Sequence, residues 1–447
     1  VAHSFPTRRS SDLIEDYVGL HVPAEYHANT SELVQMLEKG HHNVRLDAEA
    51  WDRLATWIDL NGPCHGTWGE VAPIPRAADR RRWELAQKQS GPKDDPEAVP
   101  DIRRDPVEPV LPDAVPRPPA AVAAPGWPCD AAEARRRQHA NGPWQKTIDL
   151  GNGLSLPLVR IPAAQFVMGS NEGEADEYPP SPVTIANDFW MSACEITNEQ
   201  FRQFAPDHFS GYFMKRSLGN DGPGIDMNGP RQPVVRVSWQ QAMAFCAWLS
   251  QRTGLRFTLP SEAQWEYACR AGTASPLNYG GVDDDFSRHA NVADASLPRI
   301  YNVTGGVVVL QDIPADVRFD DGTLVTADAG GYEPNAWGLY DMHGNAAEWT
   351  RSRYRPYPFA EDIRDVDHDN EPRVVRGGSF HDRPQRCRSA FRLCYPAWQR
   401  VHNVGFRVVG EAADRPGGYR GDNARCSRSS PKIVWRIDMA KVLPMPF

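Results

Sequence analysis

The chain has 447 residues, more than one typical domain, so two or three folded units are expected. Hydrophobic residues make up 40% and charged residues 24%, enough for real cores, yet no run approaches the ~20 apolar residues that span a bilayer. With 58 acidic against 49 basic residues the net charge is −9, which excludes nucleic acid as the main partner. Forty prolines and 35 glycines point to long connections rather than helical bundles.

Residues 1–13 lack periodicity; Ser4-Phe5-Pro6-Thr7-Arg8-Arg9-Ser10-Ser11-Asp12-Leu13 reads as translated sequencing-adaptor sequence and is set aside, with the native chain expected to continue upstream. Over 30–60 two helices are expected. Leu33, Val34, Met36 and Leu37 form one apolar stripe, and Asp47 caps a second helix carrying Trp51, Leu54, Trp57 and Ile58 on one face. Two short helices cannot bury those tryptophans alone, so 14–73 reads as the remnant of a larger domain. Residues 74–143 read as a linker: 11 of the 37 positions from Pro92 to Pro128 are proline, which keeps the chain extended. Residues 411–447 read as a mostly disordered tail with one short strand at Lys432–Ile437.

Between 144 and 410 the helix signals are explicit. Thr197-Asn198-Glu199-Gln200, Ser238-Trp239-Gln240-Gln241 and Ser261-Glu262-Ala263-Gln264 each place a hydroxyl three residues before a Gln, the capping-box spacing, ahead of an apolar run. Gly254 and Gly272 fall where a helix terminates. Short strands are expected at Leu158–Ile161, Phe166–Met168, Val183–Ile185, Val374–Arg376 and Phe406–Val409, so the class is α+β. None of the eight cysteines (Cys64, Cys129, Cys194, Cys246, Cys269, Cys387, Cys394, Cys426) forms a CxxC pair or CxxCH site. That removes zinc ribbons, thioredoxin chemistry and a self-contained c-type cytochrome. Scattered singly, they suit either long-range disulfides in an exported protein or buried free thiols.

Seven motifs then occur in order: Phe166-Val167-Met168-Gly169-Ser170; Cys194-Glu195-Ile196-Thr197-Asn198; Pro233-Val234-Val235-Arg236-Val237-Ser238-Trp239; and Leu259-Pro260-Ser261-Glu262-Ala263-Gln264-Trp265-Glu266-Tyr267-Ala268. Gly338-Leu339-Tyr340-Asp341-Met342-His343-Gly344-Asn345, Arg376-Gly377-Gly378-Ser379-Phe380 and Gly405-Phe406-Arg407 complete the set. Over 144–410 the chain resembles the formylglycine-generating enzyme (sulfatase-modifying factor) family. The resemblance implies a variant of the C-type-lectin fold with little regular secondary structure, two calcium ions, and a groove for an extended peptide or protein ligand. A weaker resemblance, over about 24–65, is to the last helices of planctomycete-type cytochrome c domains. It makes His41 or His42 an axial haem ligand, with haem present only if the upstream domain is; the residues by themselves read as two solvent-facing histidines in a helix–helix turn.

Calcium takes six to eight hard oxygen ligands from flexible loops. By the family pattern, Asp341 and Glu348 supply carboxylates and Gly344 and Ala346 carbonyls at one loop. The Asn291 side chain, the Val292 carbonyl, Asp321 and the Thr323 carbonyl form a second. Asp283, Asp284 and Asp285 read as a solvated loop. The family also holds copper between two cysteines five residues apart after the RGGS-like motif. Counted from Ser379, those positions are Asp382 and Cys387. A carboxylate is too hard to replace a thiolate at Cu(I), so copper is not expected, and Cys387 is the one catalytic candidate left. The tryptophan usual before Glu348 is Ala347. The resemblance also suggests a Cys269–Cys387 disulfide.

No HxxxH, HExxH or phosphate-binding loop occurs. His343, His381 and His402 read as structural hydrogen-bonders, and Arg376, Arg388, Arg392 and Arg407 as braces of an irregular core. The expected function is a calcium-stabilised, non-oxidase binding or assembly module of a larger extracytoplasmic protein, with no membrane span. The alternatives are a formylglycine-generating oxidase acting on a target such as a sulfatase, and an enzyme of other chemistry in the same groove.

Overall fold

A computed structural model describes residues 28–40, 44–59, 84–85, 88, 122–213, 224–297, 315–359 and 371–411. His41 and His42, the adaptor-like start and the strand expected at 432–437 lie outside them.

Two sheets organise the main body. The first runs in the order β1 (Gln145–Gly151), β2 (Leu154–Ile161), β5 (Phe189–Ser192), β13 (Val409–Glu411) and β8 (Phe257–Thr258). The second runs β11 (Leu393–Pro396), β10 (Pro372–Arg376), β9 (Ala347–Arg353) and β12 (Val404–Gly405). β3 (Ala164–Met168) and β4 (Ser181–Ile185) form a separate hairpin, and β6 (Tyr212–Phe213) pairs with β7 (Ile225–Asp226). The chain is thus α+β, as the alternating short elements imply. The strand expected at Phe406–Val409 is split: β12 ends at Gly405 and β13 starts at Val409, because the stretch between them crosses from one sheet to the other.

All three capping boxes form. Thr197, Ser238 and Ser261 each accept from the backbone N–H three residues on, while Gln200, Gln241 and Gln264 reach back. The helix Trp239–Thr253 buries Trp239, Ala242, Phe245, Cys246 and Leu249, one helical face, and Phe245 packs against Phe201 and Phe406, each with ring centroids 5.5 Å away, while those two lie 5.9 Å from each other. Phe245 and Leu249 each contribute roughly 1.5–3 kcal/mol by leaving water. This helix ends at Gly254 with φ +71° as expected, but the helix Glu262–Arg270 turns left-handed already at Ala271. Gly272 follows because the Cys129 thiol and carbonyl pack against it, leaving no room for a Cβ.

On Glu262–Arg270 the spacing i, i+4, i+8 puts Glu262, Glu266 and Arg270 on one buried face. Arg376 pairs with Glu266 and donates to the carbonyls of Ser389 and Phe391; Arg392 forks onto Glu262 at 2.6 and 3.0 Å. Burial alone would raise the Glu266 carboxyl, but Arg270 and Arg376 outweigh it and hold it below its ordinary value. The arginines brace the irregular core as the sequence suggests.

One expectation needs correction. The linker does not reach 143: Asp130 caps a helix Ala131–His139, Ala134 is fully buried, and Gln138 donates to the carbonyls of Arg160 (2.9 Å) and Trp337 (2.8 Å). Residues 122–143 therefore belong to the folded body. The first helix, Glu32–Glu38, meets the main body. Gln35 Nε2 donates to the Tyr395 hydroxyl at 3.0 Å and Arg383 pairs with Glu32 at 2.6 Å, so this helix docks beside β11. The second helix, Ala48–Asp59, forms as expected behind Asp47, with Trp57 still 42% exposed. No helix among the described residues is long and apolar enough to cross a membrane.

Candidate functional site

The residues expected to bind calcium converge on two adjoining loops. Asn345 accounts for their closeness. Its backbone N–H donates to the Asn291 carbonyl at 2.7 Å, and its side-chain oxygen accepts from Asn291 Nδ2 at 3.0 Å. Gly344 must be glycine here: φ is +79°, and a Cβ would overlap the Asn291 carbonyl.

In the first loop Asp341 is buried, with φ +55°, and Oδ2 accepts from the Gly330 N–H at 2.6 Å while Oδ1 has no hydrogen-bond partner. Glu195, absent from the expected ligands, adjoins it. Its Oε1 accepts from Asn345 Nδ2 at 3.0 Å and its buried Oε2 has no partner. Burial and then repulsion from Asp341 push Glu195 well above the carboxylate range, and burial pushes Asp341 up to about 6. Glu348 is differently placed from expectation: both oxygens are engaged by Arg407, at 2.7–2.8 Å, and Oε2 also accepts from Trp265 Nε1 at 2.7 Å. Arg407 thus serves one carboxylate fully and leaves two short of positive charge. Ala346 contributes its N–H to Glu195 Oε1 at 3.4 Å.

In the second loop Asn291 Oδ1 is buried without a partner. Asp321 accepts from the N–H groups of Val292 (3.0 Å) and Thr323 (2.9 Å), and the Thr323 carbonyl accepts from Ser296 Oγ at 2.7 Å. Asp294, not foreseen, accepts from the Asp321 N–H at 2.6 Å and from the Ser296 backbone and hydroxyl. Burial and then Asp294 push Asp321 up to about 7. Among the described residues no three His, Cys, Asp or Glu side chains cluster as a metal-ligand set. Side-chain oxygens here are few and spread over two loops. The unpartnered Asn291, Asp341 and Glu195 oxygens suit a hard cation completed by carbonyls.

The turn after β10 carries the positions where a thiol pair would sit. Ser379 donates from its N–H (3.0 Å) and hydroxyl (2.7 Å) to Asp382 Oδ2, Arg386 donates to Oδ1 at 2.8 Å, and Asn403 Nδ2 donates to Ser379 Oγ at 2.7 Å. Burial would raise Asp382, but Arg386 and Ser379 hold it below the ordinary range. It is therefore a weak base, and Ser379 is not an activated nucleophile. Cys387 is fully buried, its Sγ 3.8 Å from the Asp382 carbonyl, and burial followed by Asp382 pushes the thiol far up. One protonated thiol and one saturated carboxylate do not suit Cu(I).

The expected Cys269–Cys387 bond is not formed; both are free thiols. Cys269 Sγ lies 3.5 Å from Ser389 Oγ and from His343 Nε2. His343 stands between the two cysteines: Nδ1 donates to the Cys387 carbonyl at 2.7 Å and Nε2 accepts from the Asn278 N–H at 3.0 Å. Burial lowers it to about 4, so it is a neutral structural group.

Known proteins place this arrangement. The chain is 27% identical over 322 residues to "Inactive C-alpha-formylglycine-generating enzyme 2" of Bos taurus, covering 62% of this chain and 94% of that protein. It is 27% identical over 333 residues to "Formylglycine-generating enzyme" of Bos taurus (63% and 81%) and 28% over 306 residues to that of Streptomyces coelicolor (57% and 89%). Among solved structures, PvdO from Pseudomonas aeruginosa matches with a TM-score of 0.47 and 25% identity, over 60% of this chain and 98% of that one. A family model described as "Sulfatase-modifying factor enzyme 1-like domain" matches residues 155–412, more than half of the chain. With that match, the chain belongs to the sulfatase-modifying factor (formylglycine-generating enzyme) family.

Proposed function

We propose that this family domain, a C-type-lectin-like variant, is a calcium-stabilised binding or assembly module of a larger extracytoplasmic protein, not an oxidase. The observation that carries the reading is Asp382. At the first thiol position it is a carboxylate tied to Ser379 and Arg386, and its neighbour Cys387 is buried and protonated. One relative bears the name of an inactive formylglycine-generating enzyme, which is in keeping with this. The ligand would be an extended peptide or protein segment lying near Ser379 and Asp341. Calcium draws its support from the unpartnered Asn291, Asp341 and Glu195 oxygens. When bound, it would supply the positive charge those loops lack, held by Asp341, Glu195 and the Gly344 and Ala346 carbonyls at one loop. Asn291, Asp321 and the Val292 and Thr323 carbonyls would hold it at the other, with Glu348 left to Arg407.

The test is to titrate the purified chain with Cu(I) against a competing chelator and to offer it a cysteine peptide under oxygen. No chelator-resistant copper and no aldehyde product is the expected result. Stoichiometric copper together with formylglycine would overturn the reading in favour of an oxidase built on Cys387 alone.

A further inference from the structure

The helix Glu32–Glu38 meets the main body through three side chains at i, i+3 and i+7, one helical face. Glu32 pairs with Arg383 at 2.6 Å, and Gln35 donates to the Tyr395 hydroxyl at 3.0 Å and accepts from Arg386. Lys39, at the C-terminal end, is inserted deepest, with a side chain only 7% exposed. Its ammonium lies 4.0 Å from the centre of the Phe391 ring, donates to the Arg392 carbonyl, and is 3.3 Å from Asp176 Oδ2. An aromatic face, a carbonyl and a carboxylate are the parts from which a primary-ammonium site is built. The pocket is preformed by other contacts. Tyr354 holds Asp176 Oδ2 at 2.7 Å, and Arg392 is fixed by Glu262 and by the Asp176 carbonyl at 2.9 Å. Asp176 Oδ1 is buried without a hydrogen-bond partner.

The helix that fills this pocket is weakly held otherwise. It has seven residues, Val34 is its only buried apolar side chain, and Leu33 is 42% exposed. Isolated helices below about 12 residues are marginal in water, so this one unfolds when it undocks. We propose that Glu32–Lys39 is a displaceable latch, with Lys39 as the resident ligand of an ammonium pocket formed by Phe391, Arg392 and Asp176. A partner segment presenting an acid, an amide and a lysine at the same spacing competes for the same face. The latch adjoins the Ser379 turn through Arg386, which donates to Gln35 and to Asp382, so its release uncovers the edge of that turn. The inference stands whether or not the domain binds calcium or copper.

Hydrogen exchange on the full chain tests it. In Lys39→Met the amides of 32–39 are expected to exchange at least about tenfold faster, while those of the core helix Trp239–Thr253 are unchanged, since local opening is independent of the global one. A synthetic peptide of residues 28–40, added to the Lys39→Met chain, is expected to bind and to protect amides of β11, whereas the same peptide with methionine at the lysine position is not. Unchanged exchange over 32–39 would overturn the latch. So would parallel acceleration in the core helix, which would make Lys39 part of the framework, and so would equal binding of the two peptides.

Discussion

Ser379 Oγ donates to Asp382 Oδ2 at 2.7 Å, a bond that ties the turn after β10 to itself. Arg386 balances the carboxylate from the other side, so removing Asp382 leaves this cation with Gln35 as an acceptor and Glu32, 3.9 Å away, as its nearby carboxylate. Asp382→Ala is therefore expected to cost about 1–3 kcal/mol, read as a lowered midpoint in urea. Asp382→Cys restores the two-thiolate donor set with Cys387. That variant should retain Cu(I) against a chelator that strips the parent chain, and a variant that stays copper-free would show that burial of Cys387, not the lost partner, blocks the site.

Calcium should act as a folding ligand. At a hundred times its dissociation constant a ligand adds about 2.7 kcal/mol, which for a domain of this size shifts Tm by roughly 5 °C. Calorimetry with and without a chelator is expected to show a shift of that order. Asn291→Ala removes a buried acceptor that has no hydrogen-bond partner, so it should shrink the shift while changing the Tm in chelator little. Asp341→Asn should do the same at the first loop.

Much of this was legible in sequence because its signals are local. The capping boxes act over three residues, and all three form. The missed helix Ala131–His139 has a local signal too: Asp130 accepts from the Glu133 N–H at 2.8 Å, the same kind of cap, ahead of good helix formers. The prolines and arginines around it masked the pattern, since its stability comes from Ala134 and Gln138 meeting Trp337, some two hundred positions away in the chain. Glu195 was hidden for a similar reason. It lies in a motif that reads as a helix approach, and only the fold brings it to Asp341.

Acid should weaken the fold through buried histidines. Burial lowers His402 to about 3 and His208 to about 4, while the unfolded chain titrates near the ordinary 6.5. Below pH 6.5 the unfolded state takes up protons that the folded state refuses, so stability is whole above pH 6.5 and is lost progressively as pH falls toward 4 and 3. Each pH unit in that window costs about 1.4 kcal/mol per histidine at most. His402 stacks on Phe213 with centroids 6.2 Å apart, so His402→Phe keeps an aromatic ring there. Thermal melts from pH 7 to 4.5 should show a shallower slope in that variant, and an unchanged slope would assign acid sensitivity elsewhere.

The domain's lower boundary gives the last prediction. Trp337 Nε1 donates to the Ala134 carbonyl at 3.0 Å, and Arg160 donates to the carbonyls of Gln138 and Gly142 at 2.8 and 2.6 Å. A chain beginning at 144 strands these groups: the indole N–H and the guanidinium lose acceptors, and the Trp337 and Arg160 carbonyls lose Gln138. Each unmade buried bond costs about 1–3 kcal/mol, and several at once approach the whole stability of a domain. A chain beginning at 122 keeps them all. Expressed side by side, the 122 start should give a cooperative melt and the 144 start an aggregating or molten product. The single change Gln138→Ala, which breaks only the bridge to Arg160 and Trp337, should fall between them, at about 2–4 kcal/mol below the longer chain, because two carbonyls are stranded while the helix remains.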